Sequence, residues 1–220
     1  MVSPRPYRLG KRQDPVDQGR LQVLDAARRL LGGTVSYAGF TVDAVARQAD
    51  VARATVYYQF GTKAGLLEAV CDHLAGMAGL AGPDGLAAAF TEPDPDLALS
   101  LLVTAFGRLW AADRDAMRRL RALARLDPEV GTVIAARDQR RHDALTAAAG
   151  RLAPQEPDPA GLVRLLMALT SFETFDVVAG PDGDLAAAVP GLVRLAQTAL
   201  NPAARSGVPK PAAEPVPAPD

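Results

Sequence analysis

The chain has 220 residues, 49% of them apolar, enough for one small binding module and one larger domain with its own core. No run of about 18 uncharged apolar residues occurs, so no membrane-spanning helix is expected, and the basic opening PRPYRLGKRQD is not what a secretory signal requires. A single cysteine, Cys71, excludes an internal disulfide framework and suits a reducing, cytoplasmic compartment. Net charge is −1, but residues 1–65 carry ten Lys/Arg against five Asp/Glu, while the remainder carries fourteen against twenty. A basic module joined to an acidic body concentrates attraction for phosphate at one end.

Residues 1–14 hold Arg5, Arg8, Lys11 and Arg12 among prolines. They read as a flexible basic arm, either following nucleic-acid phosphates or simply solvated. Asp14-Pro15 carries helix-start chemistry. Leu21, Leu24, Ala27 and Leu31 then recur at helical spacing until Gly32-Gly33. A loop through Ser36 to Phe40 follows, with Phe40 as a buried anchor.

Thr41 to Lys63, TVDAVARQADVARATVYYQFGTK, reads as two short helices joined by a tight turn and the start of a third. Val42, Val45 and Ala46 fall on one face of the first, and Val56 and Phe60 share a face of the second. Arg53, Thr55, Tyr57 and Tyr58 point elsewhere. This is the pattern of a helix-turn-helix, whose second helix enters the major groove of DNA. Asp50 stands where the turn calls for left-handed backbone, which aspartate adopts at modest cost.

TVDAVARQADVARATVYYQFGTKAGLLEAV resembles the N-terminal DNA-binding segment of the TetR family of transcriptional regulators, over about residues 18–75. Three positions depart from that pattern: Asp50 replaces glycine, Ala52 replaces a capping serine and Gln59 replaces a frequent histidine. Losing the serine removes about 1 kcal/mol of helix-end stabilisation. The resemblance implies an all-α fold, with a three-helix helix-turn-helix DNA-binding domain (15–62) and a helical ligand-binding and dimerisation domain (63–200). It implies DNA contacts from Thr41, Arg53, Ala54, Thr55, Tyr57, Tyr58 and Lys63. Arg53 is suited to guanine O6 and N7, or to phosphate. The Tyr57 hydroxyl and Lys63 ammonium are suited to phosphate oxygens. Thr41 also has a hydroxyl able to cap its helix.

Beyond Lys63 a longer helix through Leu66, Leu67, Val70, Leu74 and Met77 is expected to link the two domains. Cys71 reads as a small buried thiol. After a glycine cluster, a short helix over 84–91 and an apolar helix from Leu97 to Asp113 follow. Phe106 and Trp110 share a face of the latter, and with Leu102, Val103 and Met117 they form either a plain core or the wall of a ligand pocket. Residues 115–126 form a basic helix whose Arg118, Arg119, Arg121 and Arg125 make a solvated face or an anion-binding wall. Glu129 to Arg151 is a long helix, with His142 exposed. The run 160–180 is apolar nearly all round and is expected as one helix, and Asp184 to Leu200 as another, kinked or starting late at Pro190. Such helices need partners on more than one side, which points to a homodimer through Leu169, Phe172, Phe175, Leu192 and Leu195. Glu173 and Asp176 are expected at its rim or on a ligand. Residues 201–220, with six prolines, read as a disordered tail.

No GxSxG, HExxH, Walker or dinucleotide loop occurs, and there are two histidines, so no enzyme, metal or cofactor is expected. The expected function is a homodimeric DNA-binding regulator, by family tendency a repressor, released by an apolar or amphipathic small molecule. The alternative is a DNA-binding dimer with a filled core and no inducer.

Overall fold

In the computed structural model, residues 13–33 and 39–200 are described, and among them eleven helices and no strand form the fold. The basic arm lies outside the described residues except for Gln13 and Asp14, which already belong to the first helix. Ser36 to Ala38 and the tail 201–220 also lie outside them.

The helices are α1 (Gln13–Gly32), α2 (Val42–Gln48), α3 (Arg53–Phe60), α4 (Lys63–Met77), α5 (Leu86–Thr91) and α6 (Pro95–Ala111), then α7 (Arg114–Leu126), α8 (Pro128–Leu152), α9 (Pro159–Leu169), α10 (Phe172–Ala179) and α11 (Leu185–Leu200). Their starts are written in local chemistry. Asp94-Pro95, Asp127-Pro128 and Asp158-Pro159 each place an accepting carboxylate at the cap and a proline at the first helical position. Thr41, Thr62 and Ser171 cap their helices with accepting hydroxyls.

The apolar faces meet in one buried cluster that runs from Val23 on α1 to Ala196 on α11, with Phe40 in it. Helix α6 lies at its centre, packed on α5 and α11. Its Gly107 is where α6, α10 and α11 come closest: a Cβ there would stand 2.6 Å from Val189 Cγ2 and 3.0 Å from Phe175 Cε1.

The run 160–180 is two helices rather than one. The chain turns at Thr170 and Ser171, because the Ser171 hydroxyl accepts from Thr174 N–H at 3.1 Å and starts a new helix inside an apolar stretch. Thr170 is fully buried, and its carbonyl accepts from Trp110 Nε1 at 3.0 Å. Helix α11 begins at Leu185, so Pro190 lies inside it and the late start does not occur.

This break changes the expected interface. Phe172, Phe175 and Leu192 are buried within the single chain, where they pack against their own domain. Leu169 is half-buried. Leu195 is exposed, as are Leu165, Val177 and Val178 on the same three helices. Glu173 and Asp176 are acceptors for α7 rather than rim groups. Glu173 receives Arg121 Nε at 2.8 Å, and Asp176 receives Arg114 Nε at 2.7 Å and Arg118 Nε at 2.9 Å. Arg114 also donates to the Gly180 and Asp176 carbonyls, which satisfies orphan acceptors at the end of α10. Most of the α7 arginine face is therefore a seam within the chain.

Burial pushes the Asp176 carboxyl up, but hydrogen bonds from Arg118 and Arg114 outweigh it and hold the group below the ordinary aspartate value. Glu173 is likewise held down, with burial opposing and Arg121 prevailing.

Candidate functional site

Helices α2 and α3 meet at a turn that closes in two hydrogen bonds. Val51 N–H reaches the Ala46 carbonyl at 3.0 Å, and Asp50 N–H reaches Arg47 at 3.2 Å. This is the Schellman arrangement, which needs left-handed backbone at its central residue. Asp50 supplies it with φ 52°. Helix α3 then begins after Ala52 with no side-chain cap. Helix α1 completes the module from behind. Gln22 Nε2 donates to the Ala49 carbonyl at 2.8 Å and Arg20 Nη1 to Gln59 at 3.0 Å. The Arg20 guanidinium also lies 4.4 Å from the centre of the Phe60 ring. Each short helix thus has its C-terminal carbonyls held from α1.

With Val56 and Phe60 turned into the core, α3 presents Arg53, Ala54, Tyr57 and Tyr58 to solvent, and Thr55 at its edge. Tyr58 is 91% exposed, so its ring and hydroxyl are open to a partner. Arg53 Nε lies 3.1 Å from Asp43 Oδ1, and its Nη2 donates to the Tyr57 hydroxyl at 3.3 Å. That hydrogen bond first, and the Asp43 charge second, raise the guanidinium pKa further. Arg53 is 60% exposed and Asp43 50%, so this pair contributes little stability and is readily exchanged.

Thr41, Arg53, Tyr57 and Lys63 line one shallow depression between α2, α3 and the start of α4. The Thr41 hydroxyl accepts from Ala44 N–H at 3.1 Å. Lys63 is committed elsewhere: its ammonium donates to Asp127, the residue that caps α8. The Lys63 hydrogen bond is the foremost cause that lowers the Asp127 pKa. Ala64 N–H reaches Glu129 Oε1 at 3.0 Å. Further up, Arg28 on α1 pairs with Asp113 at 2.7 Å, and Arg137 on α8 reaches Asp72 and the Glu68 carbonyl of α4, each at 2.7 Å. Arg28–Asp113 thus ties the helix-turn-helix module directly to the body, and the Lys63 and Arg137 pairs hold α4, which follows α3, against α8.

Inside the body, α4, α6, α7 and α8 enclose a cavity of about 220 Å³. Phe106, Trp110 and Met117 lie on its wall; Leu102 and Val103 do not, being packed away in the core. The Phe106 and Trp110 rings stack at 6.1 Å, and Phe172 meets Trp110 edge-on at 6.0 Å. Leu74, Leu120 and Ile134 add apolar surface. Cys71 is also on the wall, and burial pushes its thiol up, away from the reactive thiolate. Arg121, read from sequence as part of a solvated face or an anion-binding wall, is on the wall too, and the residues that sequence reasoning missed are Arg137, Arg140 and Arg141. Among the described residues no cluster of three or more His, Cys, Asp or Glu could hold a metal ion.

Among the described residues, helices alone, with a helix-turn-helix at one end and a cavity behind it, define a class of fold. Residues 23–70 match the family described as bacterial regulatory proteins, tetR family. Among solved structures, the fatty acid degradation regulator FadR from Bacillus halodurans superposes with a TM-score of 0.58 at 21% identity, covering 80% of this chain and 93% of that one. A TetR-like transcriptional regulator from Rhodococcus sp. RHA1 gives 0.55 at 22% identity, covering 83% and 95%. FadR from Bacillus subtilis, in complex with stearoyl-CoA, gives 0.57 at 19% identity, covering 80% and 96%. No curated protein matches the chain by sequence. Residues 23–70 match the DNA-binding domain of the TetR family, and over most of its length the chain has the fold of TetR-like regulators of known structure.

Proposed function

We propose that two copies of this chain bind a pseudo-palindromic operator as a repressor and are released by a small apolar or amphipathic molecule in the α4–α8 cavity. The observation that carries this reading is the position of α4. Its first turn follows α3 and holds Asp127 through Lys63, while its Cys71 and Leu74 are cavity wall. A ligand that spreads the wall moves the same helix that carries α3. A two-fold dimer reads half-sites about one helical turn, ~34 Å, apart or a multiple of that. Moving the pair from mostly bound to mostly released takes roughly 5.5 kcal/mol of differential affinity for the two conformers.

In this reading residues 15–62 read DNA and residues 63–200 bind the ligand and dimerise. Thr41, Tyr57 and Lys63 contact phosphates, Lys63 by exchanging Asp127. Arg53, with Ala54, Thr55 and Tyr58, faces base edges or nearby phosphates. The cavity beside Phe106 and Trp110 favours the ligand-responsive reading over a filled core, as does the stearoyl-CoA held by FadR from Bacillus subtilis. No enzymatic activity is assigned, and a cytoplasmic location follows from the DNA partner. No helix among the described residues is long and apolar enough to cross a membrane.

The dimer surface is assigned to Leu165, Val177, Val178 and Leu195, the apolar side chains that α9, α10 and α11 leave exposed. Replacing Val177 and Leu195 together by lysine should convert a dimer to a monomer in sedimentation and abolish tight operator binding. The thermal transition should remain, because neither side chain is core. A variant that stays dimeric refutes this surface.

A further inference from the structure

The cavity wall combines two kinds of side chain. Phe106, Trp110, Leu120 and Ile134 give apolar surface, and Arg121, Arg137, Arg140 and Arg141 lie on the same wall, with no carboxylate among the lining residues. Their counter-charges stand behind them: Arg121 is held by Glu173 and Asp138, and Arg137 by Asp72.

Arg141 is the most buried of these arginines. Its side chain is 9% exposed. Nη1 donates to the Met167 carbonyl at 3.1 Å and to the Thr170 hydroxyl at 3.2 Å, which fixes the guanidinium in place. Nη2 has only a distant partner, Asp138 at 3.5 Å, and Nε has none. Arg137 Nε is buried and unpartnered as well. Burial, above all, lowers the Arg141 pKa, with Asp138 opposing and Arg121 adding to it. A buried cation with free N–H groups is costly unless something completes it. A planar monoanion does so, because the guanidinium fork matches a carboxylate.

We infer that the cavity is a site for a small amphipathic carboxylate, its oxygens on Arg141 and Arg137 and its hydrocarbon against Phe106 and Trp110. This rests on the ligand-responsive reading above and adds the charge and size of the ligand to it. The volume of about 220 Å³ lies below the ~300–1,000 Å³ of pockets for drug-sized molecules, so the acid is short. A carboxylate seated there bridges α8 to the aromatic wall. It also sits beside the Thr170 turn, which Trp110 and Arg141 both hold.

The chain's one tryptophan is Trp110, so its fluorescence reports occupancy of this cavity directly. Octanoate, octanol and octylamine are titrated into the full chain. Octanoate should bind at least about tenfold more tightly than octanol, the worth of a charge-assisted hydrogen bond, and octylamine should not bind. In Arg141→Gln, octanoate and octanol should bind alike. Arg137→Gln leaves the hydrogen bonds of Arg141 to α9 and Thr170 intact, and should narrow the preference in the same direction. Equal binding of octanoate and octanol to the natural chain overturns the carboxylate assignment and leaves a ligand cavity standing. If none of the three alters Trp110 emission, the cavity is not a ligand site and both readings fail together. A preference that survives in both variants refutes the role given to these arginines.

Discussion

Phe175→Ala should lower the free energy of unfolding by about 3–5 kcal/mol, the cost of emptying a packed aromatic site. Phe175 is fully buried, and its ring lies against Gly107, where α6 has no side chain at all. Gly107 has no side chain to move into the space, and α11 approaches through Val189. The void would open between α6, α10 and α11 at the centre of the body. Urea denaturation gives the energy, and the thermal midpoint should fall by about 2–4 °C per kcal/mol for a chain of this size. A loss below about 1 kcal/mol would show that Phe175 is not core. The side chain would then have to be reassigned to a surface, where apolar composition alone had placed it.

Arg53→Ala should leave stability nearly unchanged and relax operator preference at one base position, by about 1–3 kcal/mol in binding. The guanidinium is 60% exposed, and its partners are Asp43 and the Tyr57 hydroxyl. Both are surface interactions, easily traded for a guanine edge in the major groove. Tyr57 lies beneath Arg53 in a cation–π contact at 5.4 Å, so the ring holds the guanidinium out from the helix before DNA arrives. Competition binding with single-base operator variants checks this. Uniform weakening across all variants would assign Arg53 to phosphate, and unchanged binding would remove it from the interface.

The helix-turn-helix is legible from sequence because its determinants are local. Thr41 caps, Val42, Val45 and Ala46 face one way, Val56 and Phe60 face another, and one residue must be left-handed. Asp50 meets that demand at φ 52°, so departing from glycine leaves the turn intact. The dimer surface was harder to read. An apolar residue announces that it needs a neighbour, and the sequence does not say whether that neighbour is in its own chain. Phe172, Phe175 and Leu192 find theirs at home. Ser171 was hidden for a related reason: a cap inside an apolar run reads as one polar interruption of a helix until the backbone shows two.

The cavity was half legible. Phe106 and Trp110 are four apart on one helix, so their common face follows from helical geometry alone. The arginines of the wall come from α7 and α8, whose register against α4 and α6 is a tertiary property. Charged runs such as RDQRR look solvated in one dimension, and only burial distinguishes Arg141 from Arg140.

The most direct measurement is selection of bound duplexes from a random DNA library by the full chain, at two salt concentrations. A dimeric operator-binding regulator should enrich one motif with two-fold symmetry. Its half-sites should be spaced by a whole number of helical turns, and its retention should fall steeply as salt rises because lysine and arginine displace counterions from phosphate. No enriched motif at either concentration would contradict operator recognition, and an asymmetric motif would contradict the dimer.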